Sequence, residues 1–242
     1  MPETTKPFNH LLAALPAKKY TRLLPKLKEI SLTYTEIIYE PGDVIRHVYF
    51  PNSGIISLLS AVGERSLLEV GIVGNEGFIG LPVFLGVKTS SNRAIVQGAG
   101  VALKMKTADF LEECKNGGVL TQLLQRYTHS LLVQISQSAV CNRFHAIEAR
   151  LARWLLMTRD RMASDEFLIT QEFLSNMLGV RREAVNKSAT NLQQNGLISY
   201  SRGQISILDR VGLETAACRC YLIIKEEYED FPSGLYAKAG TK

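Results

Sequence analysis

Between about Leu32 and Met105 the chain alternates short apolar runs with turn residues. Ile37-Ile38-Tyr39, Val48-Tyr49-Phe50, Ile55 to Leu59, Leu67 to Val73 and Val101 to Met105 are β-branched, aromatic or otherwise apolar. Pro41-Gly42-Asp43, Pro51-Asn52-Ser53-Gly54, Gly63 and Gly74-Asn75 punctuate them. Strands recurring at roughly ten-residue spacing predict an all-β sandwich or barrel. The pattern changes after Gly117-Gly118. Leu120, Leu124, Tyr127, Leu131, Ile135 and Ser138 recur at alternating spacings of four and three, and neither Pro nor Gly interrupts the chain again until Gly179. That predicts a long helix with one apolar seam. The seam could pack on the chain's own β domain, but a helix of ~25 residues overhangs so small a domain, so Leu120, Leu124, Tyr127, Leu131 and Ile135 are expected to meet a second copy of the chain. A second amphipathic segment follows, with Ile147, Leu151, Trp154 and Leu155 among several arginines, and then a short strand-like Phe167-Leu168-Ile169.

The stretch from Thr170 to Leu208 is the most informative. Thr170 is suited to cap a helix over Gln171–Leu178, whose Phe173, Leu174, Met177 and Leu178 lie at helical spacing. Gly179 can take the left-handed conformation that ends a helix in a tight turn. A second helix is predicted from about Arg182 to Gln194, with Ala184, Val185, Ala189 and Leu192 inward and Asn195-Gly196 closing it. Two short helices joined by a Gly-centred turn form a helix-turn-helix. Leu197 to Tyr200 and Gln204 to Ile207 then flank Ser201-Arg202-Gly203 as a hairpin, a wing with Arg202 at its tip. Arg182, Glu183, Asn186 and Lys187 occupy positions i, i+1, i+4 and i+5 of the second helix, where side chains reach neighbouring base edges in the major groove. Arg can fork onto guanine, Glu can accept from cytosine N4 and Lys can donate to guanine. Thr170, Gln171, Arg181 and Arg202 are placed around them as phosphate contacts.

Bulk properties add little to this picture. Hydrophobic residues make up 46% and charged residues 21%, as in ordinary globular proteins, and a formal net charge of +5 is compatible with an anionic partner. Leu11 to Leu15, broken by Pro16, is too short for a signal-peptide core or a membrane span, so a cytoplasmic location is expected. The four cysteines, Cys114, Cys141, Cys218 and Cys220, form no disulfide framework. Val211 to Glu229 reads as one further helix. Two thiols at i and i+2 on a helix diverge by ~200°, and no second pair of zinc ligands is evident, so Cys218 and Cys220 read as core and no metal site is expected.

The order of parts resembles the Crp/Fnr superfamily, the catabolite-activator and fumarate–nitrate regulators. The residues that carry it are Glu40-Pro41-Gly42-Asp43, Phe78-Ile79-Gly80, Ile169-Thr170-Gln171-Glu172 through Gly179 to Arg182-Glu183-Ala184-Val185, and Asn195-Gly196-Leu197-Ile198. The resemblance spans about residues 25–208. It implies an α+β fold with an N-terminal β-roll (a cyclic-nucleotide-binding-like jelly roll) in residues 1–117 and a long dimerisation helix in 118–145. A C-terminal winged helix-turn-helix with an extra terminal helix occupies 146–242. It also implies base reading by the residues matching Arg182, Glu183 and Lys187, although relatives of the catabolite-activator type carry Arg where Lys187 stands.

The sensor half departs from the pattern. Cyclic-nucleotide-binding members hold the ribose with a Glu after the Gly matching Gly80, where this chain has Leu81. Their phosphate-binding Arg, followed by Ser or Thr and Ala, gives way to Asn92-Arg93-Ala94, with Arg93 one residue late and so on the opposite face of a strand. The base-contacting Thr-Ser pair reads Ile135-Ser136. Gly80, Leu81, Asn92, Arg93 and Ser136 remain the candidate pocket, for an unidentified effector rather than cyclic AMP. An iron–sulfur sensor of that family needs cysteines near the N-terminus, and none precedes Cys114; a haem would have only His47 in the roll. The expected function is sequence-specific DNA binding by a homodimer at a palindromic site, with double-stranded DNA and RNA polymerase as partners, no membrane and no enzyme activity. The alternatives are a sensing roll acting mainly through a protein partner, or a true cyclic-AMP-responsive regulator. A metal-dependent enzyme in the roll would need several converging ligands, and only His47 is available there.

Overall fold

The computed structural model describes residues 8–62, 66–115 and 117–229. Gly63, read above as a turn, lies outside them. Two short helices, α1 (His10–Ala13) and α2 (Ala17–Leu23), precede the roll. One of its sheets holds β1 (Leu27–Leu32), β3 (His47–Pro51) and β7 (Gly100–Lys106), in the order β1-β7-β3. The other holds β2 (Ile37–Tyr39), β4 (Ile55–Val62), β5 (Ser66–Val73) and β6 (Arg93–Gly98), in the order β2-β6-β4-β5. Helices α3 (Leu81–Phe84) and α4 (Thr107–Cys114) complete the roll. Sequence periodicity missed β1 and β6. Strand β6 carries buried Gln97 among its apolar residues, which obscures the alternation.

The long helix α5 (Val119–Phe144) is 26 residues, about 39 Å. Its seam corrects the expectation of a dimer contact. Leu120, Leu124, Tyr127 and Leu131 are buried within the single chain. Tyr127 packs on Phe78 in an aromatic cluster with Phe50 and Phe110, with centroids 5.5–6.4 Å apart. Ile135, half-buried, lines a cavity between α5 and the roll. The Gln134 side chain fastens the helix to β5, accepting from Ile72 N at 2.7 Å and donating to Ile72 O at 3.2 Å. A four–three repeat shows that one stripe is buried, and the roll is what buries it here. The large apolar side chains α5 leaves exposed are Leu132, Val140 and Phe144.

After His145-Ala146 come α6 (Ile147–Met162), β8 (Glu166–Leu168), α7 (Gln171–Leu178), α8 (Arg182–Gln194), β9 (Ile198–Ser201) and β10 (Gln204–Ile207). Helix α6 is buried on nearly all sides, including Leu151, Trp154, Leu155 and Leu156, and it shares a core with α7, α8, the wing and Ile55, Leu59 and Ile72 of the roll. The single helix expected over Val211–Glu229 is two, α9 (Arg210–Ala216) and α10 (Cys220–Glu229), because Ala217 turns to an extended conformation (φ −72°, ψ 154°). Cys218 is therefore outside any helix, and the divergence expected of the Cys218 and Cys220 thiols does not hold. No described helix is long and apolar enough to cross a membrane.

Two buried polar bridges join the roll to α6. Extra residues at Val70 of β5 and Gln97 of β6 shift the register of their pairing with β4, and such bulges re-aim neighbouring side chains. They bring Glu69 and Gln97 to Ser57. The Ser57 hydroxyl lies 2.8 Å from Glu69 Oε2 and 2.5 Å from Gln97 Oε1; Trp154 Nε1 donates to Glu69 Oε1 at 2.9 Å and Gln97 Nε2 to Thr158 Oγ1 at 3.1 Å. The second bridge is Arg161 Nε to Glu76 Oε1, 2.7 Å, with both side chains over 90% buried.

Candidate nucleic-acid interface and sensor cavity

The helix-turn-helix is built by local chemistry. Thr170 Oγ1 accepts from Phe173 N at 3.1 Å, capping α7. Gly179 (φ 60°, ψ 41°) ends it, and Val180 N returns to Ser175 O at 3.0 Å, the bond pattern of a left-handed helix stop. A β-carbon at Gly179 would lie 2.6 Å from Leu68 Cδ1 of β5, so the turn is glycine both for its φ and for its close approach to the roll. Arg181 caps α8 only by backbone position, with no side-chain bond.

On α8, Val185, Ser188, Ala189 and Leu192 face the core. Arg182, Glu183, Asn186 and Lys187 are all exposed on the opposite side, so the four base-reading candidates share one solvent-facing surface. Gln171 does more than was expected of a phosphate contact. Its Nε2 donates to Asn186 Oδ1 at 3.0 Å and its Oε1 accepts from Arg182 Nε at 3.2 Å, fixing two of the four. The wing is a three-stranded sheet, β8-β10-β9, in which Ser201 pairs with Gln204. Its two-residue loop, Arg202 and Gly203, has φ of 50° and 82°, the positive pair a tight hairpin turn demands. Arg202 is exposed at the tip. Tyr200 OH donates to Ile169 O at 2.9 Å, tying the wing to the lead-in of α7, and burial pushes its phenol up to about 12, so it remains a donor.

The sensor candidates divide. Gly80, Leu81 and Asn92 line a cavity of about 370 Å³ between the roll and α5, with Tyr39, Leu58, Phe78, Ser90, Leu131 and Ile135 among its other walls. Arg93 is not part of it: its Nε donates to Glu40 Oε2 at 2.8 Å on the other face of β6. Ser136 is exposed and does not line it either, because it sits on the outer stripe of α5 with Leu132 and Val140. None of the described lining residues is charged. Tyr39 stays protonated, its phenol raised to about 12 by burial. A phosphodiester would enter this cavity without a cation to meet it.

Sequence reasoning missed Gln171 as a brace, Glu69 with its bulges, and the neighbours of Cys218 and Cys220. Cys141 and His145, one turn apart at the end of α5, lie beside those two thiols and supply a second ligand pair where none was expected. The spacing of Cys141 and His145 was the available signal.

Two family models match the chain: a cyclic nucleotide-binding domain over residues 29–116 and a Crp-like helix-turn-helix domain over residues 149–216. No curated protein sequence matches it. Among solved structures, a crp/fnr-family protein from Eubacterium rectale is 17% identical, with 86% of this chain and 98% of that chain covered at a TM-score of 0.67. A CRP-family transcriptional regulator from Thermus thermophilus is 20% identical (78% and 96% covered, TM-score 0.64). The c-di-GMP-responsive global regulator CLP of Xanthomonas campestris is 16% identical (80% and 100% covered, TM-score 0.65). At these identities the structures share the fold. Both domain models match in the order that the roll and the wing occupy, so the chain joins a cyclic nucleotide-binding domain to a Crp-like helix-turn-helix domain, in the fold of these crp/fnr-family structures.

Proposed function

We propose that the protein is a homodimeric regulator that reads a palindromic DNA site through Arg182, Glu183, Asn186 and Lys187. The observation that carries this reading is the braced quartet itself: four polar side chains on one exposed surface of α8, two held by Gln171, beside a wing tip bearing Arg202. Thr170, Arg181 and Arg202 serve as phosphate contacts. Two recognition helices then sit about one DNA turn, ~34 Å, apart. Selection from a random duplex pool at near-physiological salt tests this, and a palindrome is the expected winner. Against that site, Glu183→Ala loses about 1–3 kcal/mol of discrimination at one base pair per half-site. Arg202→Ala weakens all sequences alike and lowers the salt slope by about one. Equal loss of selectivity in both variants would reject these roles.

The second copy is assigned to the exposed stripe of α5, Leu132, Ser136 and Val140, since the buried seam is occupied within the chain. Leu132→Glu is expected to shift the protein from dimer to monomer in sedimentation equilibrium and to abolish palindrome binding. A dimer unchanged by that charge would put the interface elsewhere. The effector fits an uncharged, largely apolar molecule in the cavity lined by Leu81, and cyclic AMP is expected to leave DNA affinity unchanged.

A further inference from the structure

Four metal-ligating side chains converge where α5 ends and α10 begins. Cys141 and His145 come from the last turn of α5 and the residue that caps it; Cys218 and Cys220 come from the break after α9 and the first residue of α10. Cys141 Sγ is 3.4 Å from Cys218 Sγ, and Cys220 Sγ is 3.6 Å from His145 Nδ1. One ligand atom from each of the four lies within 4.8 Å of all the others. A tetrahedral zinc with Zn–S ~2.3 Å and Zn–N ~2.0 Å requires S–S edges of ~3.8 Å and S–N edges of ~3.5 Å. The set already has nearly that size, and its three cysteines are buried.

An independent feature of the same region concerns charge. Arg150 and Arg153 of α6 are each 6% exposed, and the Nε of each has no hydrogen-bond partner. Neither makes an ion pair within 4.0 Å of a described carboxylate, and the carboxyl in electrostatic reach of Arg153 is that of Glu69, itself buried and bonded to Ser57 and Trp154. Arg150 Nη2 donates to Asn142 Oδ1 at 2.7 Å and to the carbonyl of Leu178, and Arg153 Nη1 approaches only Met157 Sδ. Two buried cations without a directly paired anion are costly. Arg153 is close enough to act electrostatically on all three thiols. A zinc bound by three thiolates and a neutral imidazole carries a formal charge of −1 (2 − 3), a counter-charge beside two arginines that no described carboxylate pairs directly.

We propose that Cys141, His145, Cys218 and Cys220 bind one zinc ion per chain in Cys3His coordination. Zinc binding displaces the three thiol protons to solvent and changes no oxidation state. With four protein ligands the site is closed, which makes it structural. It bridges positions 77 residues apart, on either side of the whole reader, so it clips the end of α5 to the break before α10 and that helix's first residue.

The test is metal analysis of the full chain, prepared without a metal-binding tag, by plasma mass spectrometry. About one zinc per chain is expected, falling at least ~10-fold in Cys141→Ser and Cys218→Ser and unchanged in Cys114→Ser, whose residue lies on α4. Should the serine variants fail to fold, cobalt titration of the chelator-stripped parent chain decides. A thiolate-to-cobalt charge-transfer band with tetrahedral d–d bands, saturating at one equivalent, supports the site. Three results would each overturn it: neither zinc nor a cobalt spectrum, a Cys141–Cys218 disulfide in the freshly isolated protein, or an iron–sulfur chromophore.

Discussion

Replacing Arg161 with Met is expected to destabilise the folded chain by about 3–5 kcal/mol, the cost of leaving one member of a buried ion pair unmatched. Arg161 and Glu76 are 7% and 8% exposed, and their contact is 2.7 Å. The guanidinium also donates to Met157 O at 3.1 Å and stands 5.0 Å from the Tyr228 ring centre. Without it, Glu76 keeps, among the described residues, only the Gly74 N–H, at 3.2 Å, for a charge that water barely reaches. At this chain length, 3–5 kcal/mol corresponds to a fall in Tm of roughly 6–20 °C.

The pair itself contributes less than its removal costs, because both ions were taken out of water to form it. The double variant Arg161→Met/Glu76→Gln is therefore expected to recover most of the loss, and a double-mutant cycle in urea should give a large coupling between the two positions. A single-variant loss below about 1 kcal/mol would mean that the pair is screened as a surface ion pair is. The position gives the effect a second reach. Glu76 belongs to the roll and Arg161 to the last turn of α6, so the variant loosens the joint between sensor and reader before either unfolds.

How far the sequence reveals this architecture depends on the range of the forces involved. The helix-turn-helix was legible because its determinants are local: a threonine cap three residues before the N–H it satisfies, a glycine at positive φ, and a two-residue hairpin at Arg202-Gly203. Alternation along a strand already turned Arg93 to the opposite face, yet it stood among the pocket candidates, and its bond to Glu40 takes it out of the cavity. Periodicity on α5 correctly indicated a buried stripe, but helix length pointed to a second copy as its partner, and the aromatic cluster of the roll takes that place within the single chain. The break at Ala217 carries neither Gly nor Pro, so nothing local announced it. Glu69 was invisible for a related reason. Regular alternation would place it opposite Ser60, and the extra residue at Val70 places it opposite Leu59, inside. The cysteine and histidine cluster required both the break and 77 residues of intervening fold.

That buried glutamate leads to the second large effect: Glu69→Gln is expected to stabilise the protein above neutral pH by up to about 3 kcal/mol and to have little effect in acid. Burial pushes the Glu69 carboxyl up to about 7, against the pull of its bonds to Ser57 and Trp154 and of nearby Arg153 and Arg161. The bond geometry agrees with a protonated group. The Ser57 hydroxyl has one proton but faces two acceptors, Glu69 Oε2 and Gln97 Oε1. If Glu69 is protonated it donates to Ser57, which then donates to Gln97, and every member of the chain is matched. A carboxyl whose folded pKa is raised favours folding fully below its ordinary value of 4.5. That contribution declines as pH rises and is gone above about 7, since each tenfold change in the proton-binding constant between the folded and unfolded chain is worth ~1.4 kcal/mol. Glutamine keeps the acceptor for Trp154 and a donor for Ser57 while remaining neutral throughout. Urea midpoints at about pH 5.5 and about pH 8.5 separate the cases: the advantage of the variant should grow between them. An equal difference at both values would show that Glu69 does not titrate in this range. Because the same bonds join β4, β5 and β6 to α6, loss of the proton weakens this contact between the roll and the helix-turn-helix half.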